Sequence, residues 1–184
     1  MEKKLDRIFL IGFMGVGKTT VGKSLSEKLN YSFIDIDDVI VDKFNIHNDN
    51  ILGFFEDRKK YLDEETIILE NLIKRNRPIA LAMENVVVAT GGGIVILPKN
   101  REILKNAGLV VYLSSSVDQL LMRTAKSKTR PLLENSSDRR KTITELVDAR
   151  DTYYREVASL VADTTGKKLH EVINIIKREN ENVE

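Results

Sequence analysis

The chain has no cysteine in its 184 residues. That excludes a disulfide framework, a thiolate metal site and a cysteine nucleophile together. Also missing is any apolar run approaching the roughly eighteen residues of a membrane-crossing helix. Nor is charge of one sign in excess: Lys and Arg number 29 against 28 Asp and Glu, a formal balance of +1. No basic field wide enough for nucleic acid or an anionic membrane follows from that balance. His47 and His170 have no second metal ligand at useful spacing, so both are read as surface residues. The start, Met1–Lys4 followed by Ile8–Val16, imitates a secretory signal. Its apolar stretch runs into Gly17–Thr20 with no small-residue cleavage site, which favours a strand. Internal repeats and low-complexity linkers are absent. The expectation is one cytoplasmic domain over 1–184, long enough for a full-sized core.

What is present begins at Gly12–Thr19, which spells G-x-x-x-x-G-K-T directly after the apolar run Ile8–Ile11. This is a phosphate-binding loop between a buried strand and a helix. Its glycines let the backbone, through Gly15, Val16 and Gly17, wrap an anion with N–H groups. Lys18 adds a point charge for the β- and γ-phosphates, and the Thr19 hydroxyl suits Mg²⁺. Val21, Leu25 and Leu29 share one helical face, so the loop lies at a helix N-terminus whose dipole favours phosphate. A nucleoside triphosphate is the expected ligand.

Short apolar runs alternate with helical patterns along the rest of the chain. Ile8–Ile11, Tyr31–Ile36, Val86–Ala89, Leu109–Leu113 and Leu160–Ala162 read as strands covered on both faces. Thr19–Leu29, Leu62–Lys74, Lys99–Ala107, Val117–Arg123 (with Ser116 as N-cap) and Lys168–Arg178 read as helices. This alternation predicts an α/β fold: a parallel sheet with helices on both faces and ligands at the carboxyl ends of the strands. Asn45–Asn50 is turn-like, Ala125–Arg140 is irregular, and the polar tail 179–184 reads as frayed.

Three further groups carry chemistry. Asp35 and Asp37, read as one extended segment, point to the same side. One carboxylate beside a phosphate loop can hold Mg²⁺, and the second can orient or deprotonate an attacking hydroxyl. Thr90 and Gly91–Gly93 follow a strand, where consecutive glycines suit close approach of a substrate to the main chain. Arg123, Arg130 and Arg155 form the third group. Pro131 biases Arg130 toward a loop, as in a lid over the nucleotide. A lid arginine that neutralises the transferring phosphoryl group is worth about 10³ to 10⁵ in rate. Arg155, in Tyr153–Glu156, has the guanidinium to grip a carboxylate bidentately. Asp163–Gly166 matches the D-x-x-G of a nucleotide switch, but it follows the last strand and no guanine-reading Asn-Lys-x-Asp accompanies it.

With the loop, Asp-x-Asp, triple glycine and Arg130–Leu133 in this order, the chain resembles the shikimate kinase family from about Ile8 to Ile176. The resemblance implies a P-loop three-layer sandwich: a five-stranded parallel sheet in the order 2-3-1-4-5 and a lid at about 125–139. A substrate-binding region at about 37–75 is implied as well. It further implies a monomeric kinase that uses ATP and Mg²⁺ to phosphorylate the 3-hydroxyl of shikimate, with neither nucleic acid nor membrane as partner. By carry-over, Thr19 and Asp35 serve the metal. Lys18, Asp37 and Arg130 are catalytic, and Asp37 also holds the reacting hydroxyls. Gly15, Val16, Gly17, Lys18, Thr19, Thr20, Arg123, Arg130 and, more weakly, Lys167 bind the nucleotide. Gly91, Gly92 and Gly93 contact the ring, and Arg155 binds the carboxylate. One departure stands out. The family carries a second carboxylate-binding arginine in a Phe-Arg pair, whereas Tyr61–Glu65 here puts Asp63 or Glu64 in its place. Three explanations stay open: Arg58, Lys59 or Lys60 substitutes from a shifted helix (the preferred one), binding is weaker, or the acceptor differs. A nucleotide-binding homologue without turnover is the remaining alternative.

Overall fold

The computed structural model describes residues 7–47, 51–55, 57–73, 85–125, 133 and 136–182. Strands β1 (Arg7–Ile11), β2 (Ser32–Asp35), β3 (Val86–Ala89), β4 (Leu109–Ser114) and β5 (Leu160–Asp163) pair in parallel in the order β2-β3-β1-β4-β5. β1 and β3 are buried at every position, as central strands covered on both faces must be, while β2 and β5 lie at the edges.

Side chains leave β1 alternately to two cores. Phe9 and Ile11 join Ile36, Ile40, Leu69, Val88, Val110 and Tyr154 on one face. Ile8 and Leu10 join Leu25, Val87, Leu113, Ile143, Ile173 and Ile176 on the other. The helices that cover these faces are α1 (Lys18–Leu29), α2 (Ile36–Phe44), the short α3 (Ile51–Phe54) and α4 (Arg58–Ile73), then α5 (Pro98–Lys105), α6 (Val117–Thr124), α7 (Arg139–Val157) and α8 (Leu169–Asn182). Ser116 caps α6 by accepting from the Gln119 N–H at 3.3 Å, as its position predicts.

The differences from the sequence reading concern helices. Tyr31–Ile36 does not run on as strand: Asp35 ends β2 and caps α2, its carboxylate accepting from the Asp37 N–H at 3.1 Å. Asp37 therefore sits in the first turn of a helix rather than in an extended segment. Helix α4 starts at Arg58, a full turn before Leu62. The nineteen-residue α7 went unrecognised because only Ile143, Arg150, Tyr154 and Val157 of it are buried, too sparse a stripe for periodicity to reveal. The tail is helical to Asn182 rather than frayed from 179. Most of the expected lid, Arg130 included, lies outside the described residues, although Leu133 is fully buried in the second core.

Candidate active site

The phosphate loop forms where β1 ends against β4. Gly12 has φ +139°, and a Cβ there would stand 2.4 Å from the Leu113 carbonyl oxygen, so only glycine fits this turn. Lys18, on the first turn of α1, is buried, and its ammonium donates to the carbonyls of Gly12 at 2.8 Å and Phe13 at 3.2 Å. Thr19 and Thr20 are exposed at the same helix terminus. Val16 packs into the core. Its carbonyl accepts from the Arg123 guanidinium at 2.9 Å, and that guanidinium also reaches Thr164 at 3.1 Å. Lys167 lies in the turn after β5, 3.9 Å from Asp163. Gly15–Thr20, Arg123 and Lys167 thus gather at one end of the sheet.

Asp35 ties this end to its neighbour. The Thr19 hydroxyl donates to its Oδ2 at 2.8 Å while its Oδ1 caps α2. Burial raises the Asp35 pKa first, the Thr19 bond opposes that, and the charge of Asp37 adds to the rise. A carboxylate short of positive charge beside a hydroxyl suits a hard cation. No cluster of three or more His, Cys, Asp or Glu occurs among the described residues. Mg²⁺ fits such a donor set, since it takes few protein carboxylates and keeps water and phosphate as its other ligands.

Beyond Asp35 the floor is built by α4. Asp37 Oδ1 accepts from the Tyr61 hydroxyl at 2.6 Å. One turn on, Glu65 is fully buried and neither of its oxygens has a hydrogen-bond partner. The Tyr61 phenol is close enough to influence Glu65, but its proton is committed to Asp37, so Glu65 counts as unpaired. Burial first, then the Asp37 charge, pushes the Glu65 pKa up to about 8, against smaller opposing effects of Tyr61, Lys18 and Arg58.

The triple glycine is explained by this floor. None of Gly91–Gly93 has a positive φ. A Cβ on Gly91 would lie 2.0 Å from Glu65 Oε1 and 2.5 Å from the Tyr61 hydroxyl, and one on Gly93 would lie 2.9 Å from Leu62. Close approach of α4, rather than turn conformation, favours glycine at both, and far more strongly at Gly91 than at Gly93.

Arg155 does not reach this place. Its guanidinium is exposed and bonded to Asp151 at 2.6 Å. The guanidinium at the triple glycine is that of Arg150, five residues earlier and about 140° around α7. Arg150 is 5 % exposed and donates to the Gly92 carbonyl at 3.1 Å, beside the Tyr154 hydroxyl at 2.6 Å. Arg58, on the first turn of α4, comes near enough to matter. Its pKa is lowered by partial burial first, then by Arg150. An anion placed near both guanidinium groups would relieve their repulsion. Arg150 was missed in the sequence, where Asp148–Asp151 reads as the charged face of an unremarkable stretch. Its only signal is a guanidinium at a position that buries together with Tyr154.

A P-loop α/β fold, with an acid pair at the tip of the second strand and a buried guanidinium at the glycine turn beyond it, fits the class of phosphate-loop small-molecule kinases. Comparison narrows the class. A family profile for shikimate kinase matches residues 14–180. A shikimate kinase from Psychrobacter sp. is 39% identical over 170 residues, 89% of this chain and 86% of that protein. One from Chromobacterium violaceum is 35% identical over 170 residues, 92% of this chain and 87% of that protein. The shikimate kinase from Acinetobacter baumannii in complex with shikimate superposes with a TM-score of 0.85 at 34% identity, covering 97% and 94% of the two chains. The chain belongs to the shikimate kinase family, whose members use ATP.

Proposed function

We propose that this protein transfers the γ-phosphoryl group of ATP to the 3-hydroxyl of shikimate. The observation that carries this reading is the Asp35 carboxylate, held by Thr19 on one side and bonded to the Asp37 N–H on the other. It ties the loop end, where a triphosphate would lie, to the helix turn that carries Asp37, and this supports the reading. The bond between the γ-phosphorus and the β–γ bridging oxygen breaks, a bond to the alcohol oxygen forms, and the alcohol proton passes to Asp37. Lys18 leaves its loop carbonyls for the β- and γ-phosphates. Arg123 and Lys167 attend the nucleotide, and Arg130 neutralises the transferring group. Thr19 and Asp35 would hold Mg²⁺, which would supply charge stabilisation at the phosphates.

The ring lies against Gly91–Gly93, and its carboxylate takes Arg150 with Arg58, not Arg155. Arg58 thereby stands in for the arginine missing from Tyr61–Glu65, the first of the three explanations left open by the sequence. The shikimate complex of the Acinetobacter relative supports this acceptor. Carrying both substrate sites in one domain, the enzyme needs no partner copy for this chemistry, and the reading takes it as a cytoplasmic monomer with neither nucleic acid nor membrane as partner. No described helix is long and apolar enough to cross a bilayer. The test is ADP release over a panel of shikimate, a decarboxylated ring analogue, gluconate and nucleoside monophosphates. Shikimate alone should raise the rate above background, and the decarboxylated analogue should lose most of it. No rise with shikimate sinks the proposal.

A further inference from the structure

We infer that Tyr61 is a positioning residue for transfer: its phenol fixes the Asp37 carboxylate, leaving the other oxygen for the acceptor alcohol. The inference rests on the role proposed for Asp37. Its geometry stands independently of that role. The Tyr61 hydroxyl donates to Asp37 Oδ1 at 2.6 Å across 24 residues of sequence, a tertiary contact between α4 and α2. No other side chain donates to Asp37 among the described residues. On the first turn of α2 its carboxylate would otherwise be free to rotate toward solvent, since Asp37 is only half-buried.

Tyr61 has the rigidity that such a role needs. Its residue is 8 % exposed, and its ring packs against Phe55 with centroids 6.0 Å apart and planes at 62°. The hydroxyl lies 2.5 Å from where a Cβ on Gly91 would be, so the triple glycine holds open the slot it occupies. Burial first, then the nearby Glu65 and Asp37, drives the phenol's pKa far up, and it stays a neutral donor throughout the working pH range. A phenylalanine would fill the same hydrophobic slot without making the bond. The hydroxyl therefore has a use beyond packing. It occupies one carboxylate oxygen and leaves Oδ2 for an incoming alcohol, which then meets its proton acceptor in one orientation.

The experiment is a double-mutant cycle of Tyr61→Phe with Asp37→Asn, read as kcat and the two KM values in the ADP-release assay. Tyr61→Phe should lower kcat about tenfold, the loss of one charge-assisted hydrogen bond. The KM for ATP and the melting temperature should stay near the wild-type values. On the Asp37→Asn background the same substitution should have almost no further effect on kcat. An equal loss on both backgrounds, or wild-type kcat in Tyr61→Phe, overturns the inference. A ligand-free readout separates this outcome from failure of the proposed function. The hydroxyl-proton resonance lost in Tyr61→Phe should appear far downfield in the wild type and move upfield in Asp37→Asn. If shikimate is not phosphorylated but the resonance behaves so, the contact stands and the acceptor is wrong. If the resonance is insensitive to Asp37, the positioning role falls whatever the acceptor.

Discussion

The two halves of the site are built in opposite ways. The nucleotide half is local: Gly12 to Thr20 is one continuous turn, and its chemistry follows from the order of residues in it. The proposed acceptor half is assembled from afar, with Asp37 from α2, Tyr61 and Glu65 from α4, the glycines after β3, and Arg150 from α7. Its polar bonds cross long stretches of chain, as from Tyr61 to Asp37 and from Arg150 to Gly92. The difference explains why the first half carries a short motif and the second does not. A backbone cradle needs residues adjacent in sequence, whereas a pocket for a ring acid needs only side chains adjacent in space.

The sharpest way to break this comparison is to disable one half and ask whether the other survives. Asp37→Asn should lower kcat by about 10² to 10⁴ while ATP affinity, read by calorimetry, stays unchanged. A matching loss of ATP binding would mean that the halves are not separable. Arg150→Ala should raise the KM for shikimate about ten- to a hundredfold. Arg155→Ala should change it by less than about twofold, because an exposed ion pair contributes little. Steady-state kinetics on the two variants would move the carboxylate site back to Arg155 if the order were reversed. Gly91→Ala forces a methyl onto Glu65 and Tyr61 and should cost about 1–3 kcal/mol in a denaturant titration, whereas unchanged stability would show that α4 retreats freely.

A pH signature belongs to the proposed acceptor half alone. Glu65 has its pKa pushed up to about 8 from an ordinary 4.5, so the folded protein holds its proton more tightly than the unfolded chain does. Its contribution to stability is therefore complete below 4.5 and is lost as pH rises through about 8. Glu65→Gln, neutral at every pH, should gain melting temperature relative to the wild type as pH rises from 5 to 9. A difference that stays flat with pH would show that Glu65 ionises freely in the fold.

Much of the fold was legible because buried parallel strands are continuous apolar runs. Val86–Ala89 matches its predicted bounds, Tyr31–Ile36 is shorter by one residue at each end, and the other three extend by one residue at one end. Helices with a full apolar stripe, such as α1, were equally plain. Those defined by something else were not: α2 by the side chain of Asp35, and α7 by a few buried residues among many charges. Around the phosphate loop, Thr19, Asp35 and Asp37 are bonded in sequence beside Lys18, as a loop and a strand tip that constrain their neighbours would place them. The choice between Arg150 and Arg155 turns on which face of α7 meets the glycine turn, and the substitute cation depends on how far α4 extends backward. Both facts belong to packing.

By itself, then, the amino-acid sequence determined a phosphate loop between a buried strand and a helix, a parallel sheet, and an acid pair beside the loop. Each of these depends on residues close enough in the chain to constrain one another directly. Only the tertiary structure decided which arginine is buried at the glycine turn, why Gly91 is crowded by α4, and that a tyrosine bonds to Asp37. Those are properties of surfaces brought together across the fold, where a five-residue step along a helix is the difference between a buried cation and a solvated one.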